Sequence, residues 1–281
     1  MSASENGVVP REAAALRAWR PTPALGVTGA IHAAGAAALL YSPAAWPWIV
    51  GALVANHAVL TAAGIAPRSQ LIGPNLFRLP APAMTRREIA LTFDDGPHPE
   101  VTPRVLDLLD GAGMKASFFL VGERAARYGA LAREIVARGH RVENHSHRHS
   151  AWFACYGMRR MRRDIERAQT AIADAAGAAP MFFRAPFGIR SPLLEPVLAG
   201  CGLRYVSWTR RGFDTVGRDP AKVLDRLARR LGAGDVLLLH DAPSARGLAS
   251  QALAVLPAVL ARIVELGLRS VTLRAACTDA A

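Results

Sequence analysis

Residues 88–97 read Glu88-Ile89-Ala90-Leu91-Thr92-Phe93-Asp94-Asp95-Gly96-Pro97, a short apolar run that halts on two carboxylates and a turn. An apolar run of this length closed by Gly and Pro is the signature of a strand. Working outward, helical spacing over 102–109 ends at Gly111 and Gly113, a strand is predicted over 116–121, and a helix over 124–138 stops at Gly139. Further strands are predicted over 140–144, 181–184, 204–208, 236–239 and 270–273. Helices fall between them over 158–176, 192–199, 220–231 and 248–266, each running into a glycine. About seven strands alternating with helices imply an α/β fold with a parallel sheet. Because polar residues follow nearly every strand end, a distorted or incomplete (β/α) barrel fits better than an open sheet. In such barrels the C-terminal rim of the strands carries the chemistry.

The 281 residues have room for one large domain or two small ones, and 51% apolar against 20% charged residues excludes general disorder. Mean hydropathy is +0.17, with the excess concentrated before residue 66. Ala24 to Tyr41 holds no charged residue, and neither does Trp46 to Ile65. Each stretch is about 18–20 residues, roughly 27–30 Å as a helix, which is the thickness of a bilayer core. Ser42-Pro43-Ala44-Ala45-Trp46-Pro47 turns the chain between them, and Tyr41, Trp46 and Trp48 suit an interface. A signal peptide would have one apolar core, not two. The expected organisation is an N-terminal tail (1–23), two transmembrane helices (24–65), a linker (66–85) and a catalytic domain (86–275). A pair of buried soluble helices is the alternative, since both runs are rich in Ala and Gly and contain His32, Asn56 and His57.

Arg11, Arg17 and Arg20 precede the first run, Arg68, Arg78, Arg86 and Arg87 follow the second, and the turn is uncharged. The positive-inside rule then places both ends, and the catalytic domain, on the cytoplasmic side of the membrane. A single span would put the domain on the other side. Over the whole chain, 34 Lys+Arg face 22 Asp+Glu, a net charge of +12 that favours anionic surroundings such as lipid head groups. The arginines are scattered and no aromatic stacking platform accompanies them, so nucleic-acid binding is not expected. Cys155, Cys201 and Cys277 lack CxxC spacing, which excludes a disulfide scaffold and a cysteine zinc site.

Four segments at strand ends carry chemistry. Asp94 and Asp95 are adjacent carboxylates whose side chains point different ways, so one can bind a metal while the other takes a proton. In His145-Ser146-His147-Arg148-His149, one helical turn would bring His145 and His149 to one face, within reach of a single ion. Two imidazoles and a carboxylate suit Zn²⁺, Fe²⁺, Co²⁺ or Ni²⁺. His147 would point away and His140 is expected to be structural. Arg184 can hold a carboxylate through a forked pair of hydrogen bonds, and His240, ending the run Leu238-Leu239-His240-Asp241, can act as a general acid.

Together these segments resemble the polysaccharide deacetylases of the NodB-homology type, the fourth carbohydrate esterase family, over roughly residues 86–274. Thr92-Phe93-Asp94-Asp95-Gly96-Pro97 looks like the first family motif, His145 to His149 matches H-[ST]-x-x-H, Arg184-Ala185-Pro186-Phe187-Gly188 matches R-x-P-[YF]-G, and Leu239-His240 matches the last. The resemblance implies Asp94 as general base and Asp95, His145 and His149 as ligands of a divalent metal, zinc first among the candidates. It implies Arg184 orienting Asp94, Asp214 bracing Arg184, and His240 protonating the leaving amine. The Phe187 N–H would hold the oxyanion, with Pro186 and Gly188 beside it. The fourth motif departs from pattern. Many members have Asp-x-x-Asp-Trp after a Trp, whereas here Trp208-Thr209-Arg210-Arg211-Gly212-Phe213-Asp214-Thr215 lacks the first acid and the trailing Trp. Thr215 thus removes a sugar-stacking surface, and Arg210 and Arg211 add charge nearby.

The expected function is metal-dependent removal of an N-acetyl or similar N-acyl group from an amino sugar. A cytoplasmic rim tethered by a membrane hairpin points to a lipid-linked or glycolipid substrate, and Arg159, Arg160, Arg162 and Arg163 would meet phosphates or anionic lipid heads. The alternatives are a polymer outside the membrane (peptidoglycan, poly-N-acetylglucosamine or chitin oligomers) and a catalytically silent sugar-binding or membrane-assembly module.

Overall fold

Alternate residues of the first strand face two different interiors. In the computed structural model, described over residues 17–217, 219–243 and 250–278, strand β1 (Glu88–Asp94) runs through the middle of the sheet. Its Ile89, Leu91 and Phe93 enter the main hydrophobic cluster under the helices, while Ala90 enters a second cluster inside the curl of the sheet. By the period of two, Thr92 and Asp94 share that inner side. The other strands are β2 (Ala116–Leu120), β3 (Arg141–Asn144), β4 (Phe182–Phe183), β5 (Arg204–Tyr205), β6 (Arg210–Arg211), β7 (Val236–His240) and β8 (Arg269–Ser270). Their order in space is β5-β4-β3-β2-β1-β7-β6, every ladder parallel, with β8 against the start of β1. This curled, incomplete barrel is the α/β fold expected from the alternation of strands and helices. Strand β6 was not expected: the run over 204–208 pairs with β4 at Arg204 and Tyr205 alone, and the chain re-enters the sheet beside β7 at Arg210.

The two apolar runs form helices α1 (Pro23–Tyr41) and α2 (Trp46–Ile65), packed side by side. No residue of α1 is buried, and α2 buries only Leu60, Ala63 and Gly64 at the end next to the sheet domain. The alternative of two core helices is therefore not what the structure holds, since a soluble core pair would bury a face. The polar residues of the two runs meet each other instead: Thr28 Oγ1 donates to Asn56 Oδ1 at 3.2 Å, and the Nε2 atoms of His32 and His57 lie 3.4 Å apart. At the domain end the Arg190 N–H donates to the Gly64 carbonyl at 3.0 Å, and a Cβ on Gly64 would sit 2.3 Å from the Arg190 carbonyl oxygen. Only glycine allows this approach.

Residues 66–85, expected as a linker, pack into the barrel. Leu79 and Ala83, the latter in α3 (Ala81–Thr85), join Ala90, Phe119, Phe182, Val206 and Val236 in the inner cluster. Leu76 pairs with Val206 and Arg78 with Asp235, so this segment bridges the side that the strands leave open. Helices α4 (Thr102–Gly111), α5 (Gly122–Arg127), α6 (Gly129–Ala137), α7 (Met158–Ala176), α8 (Leu194–Gly200), α9 (Pro220–Ala228) and α10 (Ala252–Glu265) follow, with α11 (Leu273–Thr278) last. The single helix expected over 124–138 is two, because Tyr128 has non-helical backbone angles (φ −118°, ψ 46°) before Gly129.

Helix α7 buries Met161, Ile165, Ala168, Ile172 and Ala175 and ends on Gly177 at φ 70°. Its arginines lie at the outer edge: Arg160 covers the Tyr156 ring at 3.8 Å and Arg162 reaches Glu166 at 3.8 Å. The tail over 1–16, Arg11 within it, and the expected helix start at Leu248 lie outside the described residues.

Candidate active site

Strand parity and register assemble the first half of the site. Asp94 and His240 end adjacent strands as direct partners, both on the inner side of the curl. Arg184, which follows β4, is fully buried and lies across the barrel floor. Its Nη1 donates to Asp94 Oδ1 at 2.6 Å and to Thr92 Oγ1 at 3.0 Å, its Nη2 donates to the Ser207 carbonyl at 3.0 Å, and its guanidinium lies 4.1 Å over the Phe119 ring. The expected Arg184–Asp94 pair is thus formed, with Thr92 and Ser207 as partners that no motif announced.

Asp95, one residue past the strand and at φ 74°, turns to the imidazoles. His145 Nε2 lies 3.4 Å and His149 Nε2 3.2 Å from Asp95 Oδ1. The helical turn expected to join His145 to His149 is absent. A loop does it instead, with Ser146 at φ 67° and His149 at φ 50°. Asn144 Oδ1 accepts from the Ser146 N–H, Ser146 Oγ from the His149 N–H, and Asp164 Oδ1 from the His147 N–H, so side chains supply the bonds a helix would have made. His147 faces Glu123 at 4.0 Å, outside the cavity. His140 is buried against Phe118, its pKa pushed down to about 4 by burial, and is structural as expected.

The Asp95–His145–His149 set fits a divalent cation. Its three donor atoms lie within 4.8 Å of one another, and Asp95 Oδ1 is buried without a hydrogen-bond partner. His145 Nδ1 donates to the Arg184 carbonyl at 2.9 Å, which fixes the tautomer and leaves Nε2 free to ligate. Burial works against the Asp95 charge, yet the neighbouring His145, His149 and His240 imidazoles hold its pKa well below the usual carboxylate range. Burial and the neighbouring His145 push His149 down to about 4, so it presents a neutral, ligand-ready ring at pH 7.

Asp214 does not brace Arg184. It turns to His240, accepting the Nδ1 proton on Oδ1 at 2.8 Å and the backbone N–H on Oδ2 at 2.8 Å. Arg184 pairs with Asp94, Thr92 and a carbonyl, and Asp214 reaches the rim beside β7 instead. Ser250 Oγ also donates to Asp214 Oδ2. Burial works against a charged His240, but Asp214 more than offsets it and raises the pKa to about 9. Asp241, the next residue, is buried under the Asp94–Gly96 turn and accepts from Thr102 Oγ1 at 2.6 Å, and burial pushes it up to about 7.

A cavity of about 450 Å³ opens over these groups. Phe187, at φ 58°, lays its ring 4.8 Å from that of His149, and its N–H donates to none of the described residues. Gly188 packs so closely that a Cβ would lie 2.2 Å from Trp208 Cη2. Pro186, buried behind them, starts this turn. Trp208, Thr215 and Arg211 also line the cavity. The two arginines of the divergent motif part company here. Arg210 binds Asp235 and the carbonyls of Arg229 and Arg230, away from the cavity, whereas Arg211 faces into it.

The sequence model of the family described as polysaccharide deacetylase matches residues 81–206. A chitooligosaccharide deacetylase of Sinorhizobium fredii is 38% identical over 156 residues, which are 54% of this chain and 71% of that one. The chain belongs to the polysaccharide deacetylase family. A peptidoglycan-N-acetylglucosamine deacetylase of Bacillus cereus is 31% identical over 191 residues, 67% of each chain. Among solved structures, a family 4 carbohydrate esterase from Streptomyces lividans in complex with acetate superposes with a TM-score of 0.60 at 34% identity, covering 66% of this chain and 91% of that one. As a polysaccharide deacetylase, the protein is a hydrolase of carbohydrate N-acetyl amide bonds in a family typically dependent on a metal ion. The segment matched by the family model begins after the helical hairpin.

Proposed function

We propose that this polysaccharide deacetylase removes the N-acyl group from an amino sugar carried on a membrane lipid, working beside the bilayer that its hairpin enters. The observation that carries this reading is the contact of α2 with the active-site wall. Gly64 is bonded to Arg190, only three residues from Phe187, which lines the cavity. Phe187, Ile189 and Leu193 expose apolar surface along the same rim segment, and Ile65 and Leu71 continue it beside α2. A rim held this close to the base of two unburied 19- and 20-residue apolar helices receives a lipid-borne sugar more directly than a long polymer.

Asp95, His145 and His149 hold the divalent ion in this reading, zinc being the first candidate and cobalt, nickel or iron the others. Such an ion, when bound, supplies Lewis acidity toward water and the acyl carbonyl. Asp94 takes the proton of the attacking water on Oδ2, because Arg184 occupies Oδ1 and fixes the plane of the carboxylate. The Phe187 N–H, which donates to none of the described residues, meets the developing oxyanion. His240 is protonated at neutral pH, and with Nδ1 committed to Asp214 it presents Nε2–H to the departing nitrogen. Acetate, or formate if the acyl group is formyl, leaves with a free amino sugar.

Acetate release from an N-acetylhexosamine on a polyprenyl phosphate, against a chitin oligomer, with and without chelator, tests the reading. Chelator-sensitive release from the lipid-linked sugar alone is expected; release from the oligomer alone overturns the lipid-linked substrate and keeps the chemistry. The likeness to chitooligosaccharide and peptidoglycan deacetylases favours that second reading, a polymer substrate outside the membrane. Alkaline-phosphatase fusions separate the two topologies. The arginine-flanked ends support activity at residue 43 and none at residue 70, with the catalytic domain cytoplasmic.

A further inference from the structure

Strand β6 places a cation in the cavity that the site's own chemistry does not use. Arg211 stands opposite Leu238, which lines the same cavity, so it shares the inner side of the curl with His240 two residues on. Its guanidinium lies 5.2 Å from the Trp208 ring and 4.8 Å from the Phe213 ring. Aromatic contacts at these distances hold the planar group while leaving its N–H edge available for an oxyanion.

The Arg211 side chain makes no hydrogen bond and no ion pair with any described residue, and its Nε is buried without a partner. The carboxylates around it are each engaged: Asp94 by Arg184, Asp214 by His240 and Ser250, and Asp95 by the two imidazoles. Arg184, protonated His240 and a divalent ion on Asp95 already match those three carboxylates. Arg211 is therefore surplus positive charge in a partly desolvated cavity, and such a group is costly unless an anion meets it.

We propose that Arg211 is a specificity-determining residue, which selects an N-acyl sugar carrying an oxyanion, a phosphoester or a carboxylate, close to the acylated ring. This rests on the deacetylase reading and sharpens its substrate class. A phosphoester is the chemistry of a lipid-phosphate carrier, and a carboxylate that of an acidic sugar. A neutral chitin-like chain offers Arg211 neither.

Calorimetric titration of the metal-loaded full chain in detergent, with N-acetylglucosamine, N-acetylglucosamine 1-phosphate and N-acetylmuramic acid, tests this without turnover. One of the two charged sugars is expected to bind at least ~10-fold tighter than the neutral one, about 1.4 kcal/mol, and which one identifies the anion. Arg211→Gln should abolish the difference and Arg211→Lys should keep part of it, because lysine retains the charge but not the fork. Equal binding of charged and neutral sugars by the wild type overturns the proposal. So does a preference that survives in Arg211→Gln, since it would then belong to the metal. A wild type that binds the charged sugar through Arg211 but releases acetate from no substrate would instead sink the deacetylase reading.

Discussion

Asp214 holds His240 twice, by its ring and by its backbone, through oxygens 2.8 Å away in each case. One carboxylate thereby sets the tautomer, the orientation and the charge of the ring facing the cavity. With His240 raised to about 9, the enzyme should keep its proton donor through neutral pH and lose activity on an alkaline limb near pH 9. Asp214→Asn should move that limb toward the ordinary histidine value near 6.5 and lower kcat. The pH profile of kcat/KM for the two proteins checks this; an unshifted limb would remove His240 as the donor. The same pair contributes stability that is fully present below the unfolded histidine pKa and is lost as pH rises through about 9.

Asp94→Asn should leave the cation bound, because Asp94 lies outside the Asp95–His145–His149 donor set. Turnover should fall by roughly 10²–10⁴-fold, the usual worth of a general base. Elemental analysis beside acetate release reads both quantities, and activity surviving in a metal-loaded variant would exclude Asp94 as the base.

His149→Ala and Asp95→Ala should each weaken metal binding and abolish activity at ordinary metal concentration. In the wild type, chelation should remove activity and added divalent cation restore it. Retention of a full complement of metal by either variant would place the ion elsewhere.

Arg184→Ala leaves Asp94 buried without its cation. Breaking a buried pair by removing one partner typically costs about 3–5 kcal/mol, so a large drop in Tm should accompany the loss of activity. Arg184→Lys keeps the charge but not the forked contacts to Asp94, Thr92 and Ser207, and should recover stability more than kcat.

Gly188→Ala asks for a Cβ at φ 73° and 2.2 Å from the Trp208 ring. The turn that positions Phe187 must then shift. Lower kcat with unchanged metal content is expected, and a fully active variant would remove the Phe187 N–H from the mechanism.

Much of the site was legible because it is local. Asp94-Asp95, His145 to His149, Arg184 and His240 sit at strand ends, and strand ends can be read from apolar runs closed by Gly, Pro and charge. The bend from His145 to His149 was not legible as a loop, because a spacing of four residues suits one helical turn equally well, and the side-chain bonds of Asn144, Ser146 and Asp164 decide between them. Asp214 bonds His240 and not Arg184, which no motif could announce, since nothing in a sequence says which of two buried cations a carboxylate will reach.

The order of elements, the α/β class, the metal-binding types and the apolar N-terminal pair were determined by the sequence itself. Each depends on periodicity or on residue chemistry within a few positions. Tertiary structure alone decided that 66–85 closes the open side of the barrel, that Asp214 serves His240, and that Arg211 enters the cavity while Arg210 leaves it. Those outcomes turn on register between strands far apart in the chain, where a slip of one residue exchanges inside for outside.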